Sequence, residues 1–288
     1  MLAETESVNP SVEHSYQAAL YHYTNHALDD CRDACETALA QLTLSDRSSV
    51  EISETSHMQF LHILLLLFNV YYDADACKEA ERMLATASGY AVEHLTQGNN
   101  HNNKGLQSYK TALLTSTISY NRALIYIKRY ETDMNKDYKQ LELALEYLRE
   151  SERGMLNVLG RSRLLLASVW HTMGVCYCHL PLEEKEANHA SNNNKKDYAK
   201  ALYYFTKSLE LRTHYDDASG AVQGQLANTL EHIAFIYSKV ADGVSGDSVS
   251  VFGNRHDDTY TGDDEARLLR EKIKEIQSVV GKTRREEV

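Results

Sequence analysis

The sequence predicts an all-α protein built from antiparallel helix hairpins. Only two prolines occur in 288 residues, and proline is the residue that breaks helix interiors, because it lacks a backbone donor and clashes with the preceding turn. Apolar residues recur at the helical period along most long segments. No segment shows the alternation of β-branched and polar residues that is typical of a strand. These three observations favour helices throughout.

A helix hairpin is predicted most clearly at residues 57–88. Its first half carries an apolar stripe that comprises Leu64, Leu67, Phe68 and Tyr71. The stripe of its second half comprises Ala76, Ala80, Leu84 and Ala87. The polar sequence "DAD" at 73–75 separates the two stripes, which is the pattern of two helices joined by a tight turn.

Further hairpins follow from the same criterion, and polar segments separate them. They are predicted at about 12–42, 108–155, 163–212 and 221–280, with a capping helix at 263–279. Segments rich in Asn, Asp, Gly or Ser favour turns over helix interiors. We therefore expect loops at 96–105, 131–137, 183–196 and 242–264, and we expect 183–196 and 242–264 to be mobile.

The fourth hairpin carries a spaced motif of aromatic and small residues. It reads Trp170-x2-Met173-Gly174-x2-Tyr177, followed by Ala201-x3-Phe205. This pattern resembles the tetratricopeptide repeat, in which W-x2-L-G-x2-Y precedes A-x3-F. The family separates its Tyr and Ala by about nine residues, as Tyr71 and Ala80 are separated here, whereas Tyr177 and Ala201 lie 24 apart. The turn of this repeat therefore carries an insertion of 15 residues.

The resemblance covers most of the chain. Less regular copies occur at 16–39 and 119–151, and 224–239 is the first helix of a fifth repeat. The segment 198–239 is similar to the longer repeats of kinesin light chains. The resemblance implies a right-handed α-solenoid in which residues 1–288 form a single repeat domain. It also implies that the protein binds another protein through a concave surface lined by the first helix of each hairpin.

Charge and composition narrow the possible partners. The formal net charge of −11 disfavours nucleic acid and anionic membrane surfaces. The longest apolar run, 60–72, has 13 residues, fewer than the roughly 20 that a membrane-spanning helix needs. The five cysteines form no regular framework, and the N-terminus resembles no secretion signal, so we expect a cytoplasmic protein with reduced thiols.

Clusters of cysteine and histidine raise the question of a metal site. Cys176 and Cys178 lie about 200° apart on a helix, so they cannot chelate one ion. Cys31 and Cys35 do share a face, and a Cys2His2 site with His22 and His26 is conceivable, but buried cysteines more often act as small packing residues. No nucleophile elbow, phosphate-binding glycine loop or zinc-protease motif occurs. We therefore expect that the protein binds neither a metal nor a cofactor and that it is not an enzyme.

The repeat frame also predicts which residues line the concave groove. The members that we assign to a peptide-binding site are Tyr21, Asn25, His62, Asn69, Tyr72, Asn121, Lys128, His171, His232, Phe235 and Lys239. Amides and imidazoles both donate and accept hydrogen bonds, so they suit an extended peptide backbone. We expect an adaptor or assembly scaffold that binds a peptide or helix. Alternatives are a structural subunit that docks through its convex face or its ends, and a motor cargo adaptor.

One class of ligand is disfavoured by particular residues. Tetratricopeptide domains that clamp the C-terminal carboxylate of chaperones carry Lys and Asn on the first helix and Asn on the next first helix. Here the resemblance places Gln17 and Tyr21 at the former positions and Leu66 at the latter. We therefore expect no chaperone carboxylate clamp.

Overall fold

The computed structural model describes residues 10–46, 54–95, 104–157, 163–181, 197–213 and 220–244, together with the single helical positions 271, 274 and 278. The regular elements in these ranges are α-helices, as the sequence predicts. The predicted loop 183–196 and most of the segment predicted as a capping helix, 263–279, lie outside the described residues.

The chain divides into two compact units, Met1–Met134 and Asn135–Val288. Unit 1 contains α1 (Pro10–Thr24), α2 (Leu28–Asp46), α3 (Glu54–Asp73), α4 (Cys77–Leu95) and α5 (Lys104–Thr132). Within it α1 pairs with α2 and α3 pairs with α4, while α2 packs on α3 and α4 packs on α5. The first helices α1 and α3 also touch each other.

Unit 2 contains one helix hairpin with a further helix packed on each side. It contains α6 (Tyr138–Leu156), α7 (Arg163–His179), α8 (Tyr198–Thr213) and α9 (Gly220–Val244). The helices α7 and α8 form a hairpin, α6 packs on α7, and α9 packs on α8 and touches α7. The helix ends differ slightly from the sequence-based bounds, since α5 begins at 104 and α9 continues to 244, inside segments predicted as loops. Adding a residue to an existing helix needs little free energy, so polar flanks can extend it.

The turns after α1 and α3 have the same backbone geometry. His26 and Asp75 have positive φ angles of 57° and 59°. The amides of Ala27 and Ala76 each donate to a carbonyl five residues earlier, and the preceding residue donates to a carbonyl three residues earlier. These bonds define the Schellman motif, in which the residue with the left-handed conformation is usually glycine. Both hairpins therefore use a strained non-glycine residue to reverse the chain in three residues.

An aspartate caps the N-terminus of α6 and another caps that of α8. The Asp137 carboxylate accepts a hydrogen bond from the amide of Lys139 at the start of α6. The Asp197 carboxylate accepts from the amide of Lys200 at the start of α8 and pairs with the Lys200 ammonium at 2.9 Å. Such N-caps satisfy amides that have no partner within the helix.

The contact between α7 and α8 depends on the absence of a side chain at Gly174. A Cβ atom there would lie 2.8 to 2.9 Å from the ring of Phe205, which is completely buried. Ala201 is also fully buried. Trp170 is 8% exposed and donates its indole N–H to Glu152 of α6 at 2.6 Å. The close helix approach predicted at Gly174 is thus confirmed, and Trp170 packs between helices.

Candidate functional site

Two residues predicted for the groove, Tyr72 and Lys128, meet in unit 1. The Lys128 ammonium donates to the backbone carbonyl of Tyr72 at 2.6 Å, pairs with the Asp75 carboxylate at 2.5 Å, and lies 4.4 Å from the centre of the Tyr72 ring. Cations stabilise the C-terminal carbonyls of a helix. Lys128 of α5 therefore caps α3, and its charge is already compensated.

Two predicted amides lie on the same two helices as this contact and form no hydrogen bond to any described residue. Asn69 is three residues before Tyr72 on α3, and Asn121 is seven residues before Lys128 on α5, so each amide shares a helix face with one member of the contact. Asn69 is half-buried, whereas Asn121 is 6% exposed. We name these two amides with Tyr72 and Lys128 the amide face. The carboxamide atoms of Asn121 are not among the fully buried, unpaired polar atoms of the described residues, so this amide stays within reach of water or a ligand.

The remaining predicted residues of unit 1 lie at the exposed edge of the first helices. Tyr21 is 66% exposed, and His62 is exposed. The Asn25 side chain donates to the carbonyl of Tyr21, one turn earlier in its own chain. Asn25 thus terminates α1, which leaves less of its hydrogen-bonding capacity for a ligand.

Hydrogen bonds between α1 and α3 fix the spacing of the first helices. The Gln59 amide donates to Glu13 at 2.9 Å near one end, and the Tyr23 hydroxyl donates to Asp73 at 2.8 Å near the other. Burial and the Asp73 carboxylate raise the pKa of Tyr23, so the phenol keeps its proton and the bond persists at neutral pH. The sequence analysis did not identify these pairs, because their partners lie 46 and 50 residues apart in the chain.

Two predicted residues of unit 2, His171 and His232, also meet. Their rings are 5.0 Å apart, and each lies about 5 Å from the ring of Phe205, at 5.2 and 5.1 Å. His171 Nδ1 lies 3.1 Å from the hydroxyl of the buried Thr229. Burial, with smaller contributions from Arg212 and His232, lowers the pKa of His171 to about 3. His171 is therefore a neutral packing residue at physiological pH.

Arg212 on α8 supports this cluster and was missed by the sequence analysis. It is 3% exposed and donates to the carbonyl of Gln225 and to the hydroxyl of Thr229 on α9. Its signal in the sequence was a charged residue on the packing face of α8, seven residues after Phe205. Because an arginine can form several hydrogen bonds at once, it joins α8 to α9.

Phe235 and Lys239 remain accessible on α9. Phe235 is 47% exposed, and the Lys239 ammonium lies 5.5 Å from the centre of its ring. An exposed aromatic ring beside a cation offers an apolar contact and a charge together. These two residues are thus the most exposed of those predicted for the groove in unit 2.

Burial lowers the reactivity of three thiols. Burial raises the pKa of Cys178 to about 12 and also raises the pKa of Cys31 and Cys35. Thiols with raised pKa values are poor nucleophiles. In the ranges that the structure describes, no three His, Cys, Asp or Glu side chains are arranged to hold a metal ion. Across those same ranges, no helix has the length and apolar character needed to span a membrane.

Comparisons with known proteins identify the fold. No protein-family model matches the sequence, and no curated protein matches it significantly. The crystal structure of BtubC (BKLC) from P. vanneervenii is similar over 94% of this chain and 88% of its own, with a TM-score of 0.54 and 14% identity. The apo form of RapI aligns over 99% of this chain and 87% of its own, with a TM-score of 0.48 and 15% identity. The similarity to BtubC shows that the chain has the fold of an all-α solenoid of helical repeats.

Proposed function

We propose that the protein is a non-enzymatic adaptor that binds an extended peptide segment of a partner protein on the first-helix surfaces. The observation that carries this proposal is the pair of amides, Asn69 and Asn121, that form no hydrogen bond to any described residue and share the amide face of unit 1. Each amide can donate to one peptide carbonyl and accept from one peptide N–H.

The free energy of binding would come partly from hydrogen bonds between these two amides and the peptide backbone. One such hydrogen bond contributes about 0.5–1.5 kcal/mol net. The hydrogen bonds from Gln59 to Glu13 and from Tyr23 to Asp73 hold α1 and α3 in place. Little ordering entropy would then be lost on binding, which favours affinity.

In unit 2 we propose Phe235 as an aromatic anchor and Lys239 as a partner for a peptide carboxylate. Aromatic residues contribute much of the binding free energy at protein interfaces. His171 and His232 pack around Phe205, so we assign them the role of shaping the surface beside Phe235. We also propose that the protein acts in the cytoplasm with its thiols reduced.

A random peptide display library selected against the full chain tests the proposal. We expect selected peptides to lose about tenfold or more in affinity with Asn121→Ala and with Asn69→Ala, which corresponds to one or two hydrogen bonds. Thr86→Ala, which shortens an exposed side chain on α4, is the control and should leave affinity unchanged. Equal affinities for all three variants would show that peptides do not use the amide face.

A further inference from the structure

Two imidazoles of unit 2 offer accessible hydrogen-bond acceptors beside the proposed aromatic anchor. His171 of α7 and His232 of α9 have ring centres 5.0 Å apart. Both rings pack on Phe205, which holds them in position. We name these two histidines the imidazole pair.

The hydrogen bonds of the imidazole pair determine where each ring carries its proton. His232 Nδ1 lies 2.9 Å from the backbone carbonyl of Asn228, and a carbonyl only accepts, so Nδ1 donates. His171 Nδ1 lies 3.1 Å from the Thr229 hydroxyl. That hydroxyl already donates to the carbonyl of Gln225 at 2.9 Å, so here too Nδ1 donates. Each neutral ring therefore has an unprotonated Nε2.

Both Nε2 atoms are accessible acceptors. Neither forms a hydrogen bond to a described residue, and neither is among the fully buried, unpaired polar atoms in the described ranges. Water or a ligand can therefore reach each of them. Burial, with smaller contributions from Arg212 and His232, lowers the pKa of His171 to about 3, so this ring stays neutral and its Nε2 remains an acceptor at physiological pH.

The charges around the imidazole pair indicate which kind of donor fits. Arg212 is 3% exposed and acts on His171, and Lys239 follows His232 by two turns of α9. Both cations disfavour an ammonium or guanidinium group here. Glu231 precedes His232, but consecutive helical residues are about 100° apart, so its carboxylate faces a different direction. A ligand carboxylate would bring only lone pairs to the two acceptors, which leaves neutral donors.

We propose that the imidazole pair selects a neutral hydrogen-bond donor, a hydroxyl or a carboxamide, in the peptide bound on unit 2. This inference rests on the proposed function and adds a side-chain preference to it. Phe235 lies three residues after His232, so the two are neighbours on α9. The rise between them is about 4.5 Å, and an extended residue spans about 3.3 Å. The donor therefore lies one or two residues from the side chain that contacts Phe235.

A peptide without such a donor would cover the imidazole pair without satisfying it. The Nε2 atoms would then lose their contact with water, and unpaired polar groups are unfavourable. One hydrogen bond corresponds to a preference of about three- to tenfold. Threonine and valine isolate the effect of a hydroxyl, and asparagine and leucine that of a carboxamide, because the members of each pair have similar size.

The tautomers can be tested without any ligand. Proton–nitrogen correlation spectra of the full chain, labelled with nitrogen-15 histidine and held at about pH 8 where imidazoles are neutral, distinguish protonated from unprotonated ring nitrogens. We expect the Nδ1–H tautomer for His171 and for His232, with assignments from His171→Gln and His232→Gln. An Nε2–H tautomer in either ring would overturn the proposal, because that atom would then be a donor.

Peptide selection tests the preference itself. The probe is a displayed library with a fixed leucine flanked by random residues on each side, selected against the full chain and against His232→Phe at the same pH. His232→Phe keeps an aromatic ring but removes Nε2. We expect the threonine-to-valine and asparagine-to-leucine ratios, one or two residues from the fixed leucine, to be about three- to tenfold higher with the unaltered chain.

His94→Phe is the matched control, since His94 also contacts an aromatic ring, that of Tyr90, but lies on α4 of unit 1. It should leave both ratios as they are in the unaltered chain. Equal changes with His94→Phe and His232→Phe would show a general effect of replacing histidine and overturn the proposal.

The selection also distinguishes failure of this inference from failure of the proposed function. If peptides bind but the ratios are the same with His232→Phe, the imidazole pair selects nothing, while the losses expected for Asn69→Ala and Asn121→Ala still support peptide binding. If neither this library nor the fully random one yields binders, the proposed function fails and this inference fails with it.

Discussion

Replacing Asn121 with leucine should abolish peptide binding while changing the stability of the folded protein little. Asn121 is 6% exposed and forms no hydrogen bond to a described residue. The carboxamide atoms are not among the fully buried, unpaired polar atoms of the described residues, so they carry no full desolvation penalty, and leucine is of similar size, so it leaves no cavity. We therefore expect Asn121→Leu to change the free energy of unfolding by no more than about 1 kcal/mol.

Urea denaturation followed by far-UV circular dichroism measures this change. The control is Thr229→Val, which alters a fully buried side chain that donates to the carbonyl of Gln225 and accepts from Arg212. Because it breaks satisfied hydrogen bonds, it should lower stability by about 1–3 kcal/mol. If Asn121→Leu destabilises the chain as much as Thr229→Val does, Asn121 has a structural role and the reasoning on the amide face is wrong.

Three further predictions concern the fold. Gly174→Ala should lower stability by about 1–3 kcal/mol because its Cβ would press on the buried ring of Phe205, whereas Gly89→Ala, with no atom within 4 Å of the added Cβ, should raise it by up to about 1 kcal/mol; thermal unfolding distinguishes the signs. His26→Gly should stabilise α1 and α2 by about 1 kcal/mol because it relieves the positive φ angle, and an unchanged or lower melting temperature would contradict this. The unfolded chain protonates His171 near pH 6.5 but the folded protein does so only near 3, so stability should be complete above pH 6.5 and fall as the pH is lowered, by at most about 1.4 kcal/mol per pH unit; His171→Gln should flatten this dependence in denaturation curves measured from pH 7 to pH 4.

The fold could be predicted because its determinants are local in sequence. Apolar stripes at the helical period identify the helices, and the W-x2-L-G-x2-Y spacing places Gly174 where Phe205 must approach. The turns were harder to place, because His26 and Asp75 adopt a left-handed conformation that glycine or asparagine would ordinarily mark. The hairpin predicted at 108–155 includes α5, which lies in unit 1, and α6, which lies in unit 2. The single-domain organisation accordingly stays a prediction.

The candidate site could be predicted only in part, because the role of a side chain depends on partners that are distant in the sequence. The repeat frame proposed Lys128 as a groove cation, yet the carbonyl of Tyr72 and the carboxylate of Asp75 occupy its ammonium. It placed Asn121 among the lining residues but gave no indication of its burial.

The crystal structure of the full chain with a library-selected peptide is the most direct measurement of the proposed function. The account predicts an extended peptide whose backbone lies within hydrogen-bond distance of both Asn69 and Asn121. A peptide seated elsewhere in unit 1, with these two amides left as they are in the unbound protein, would contradict it.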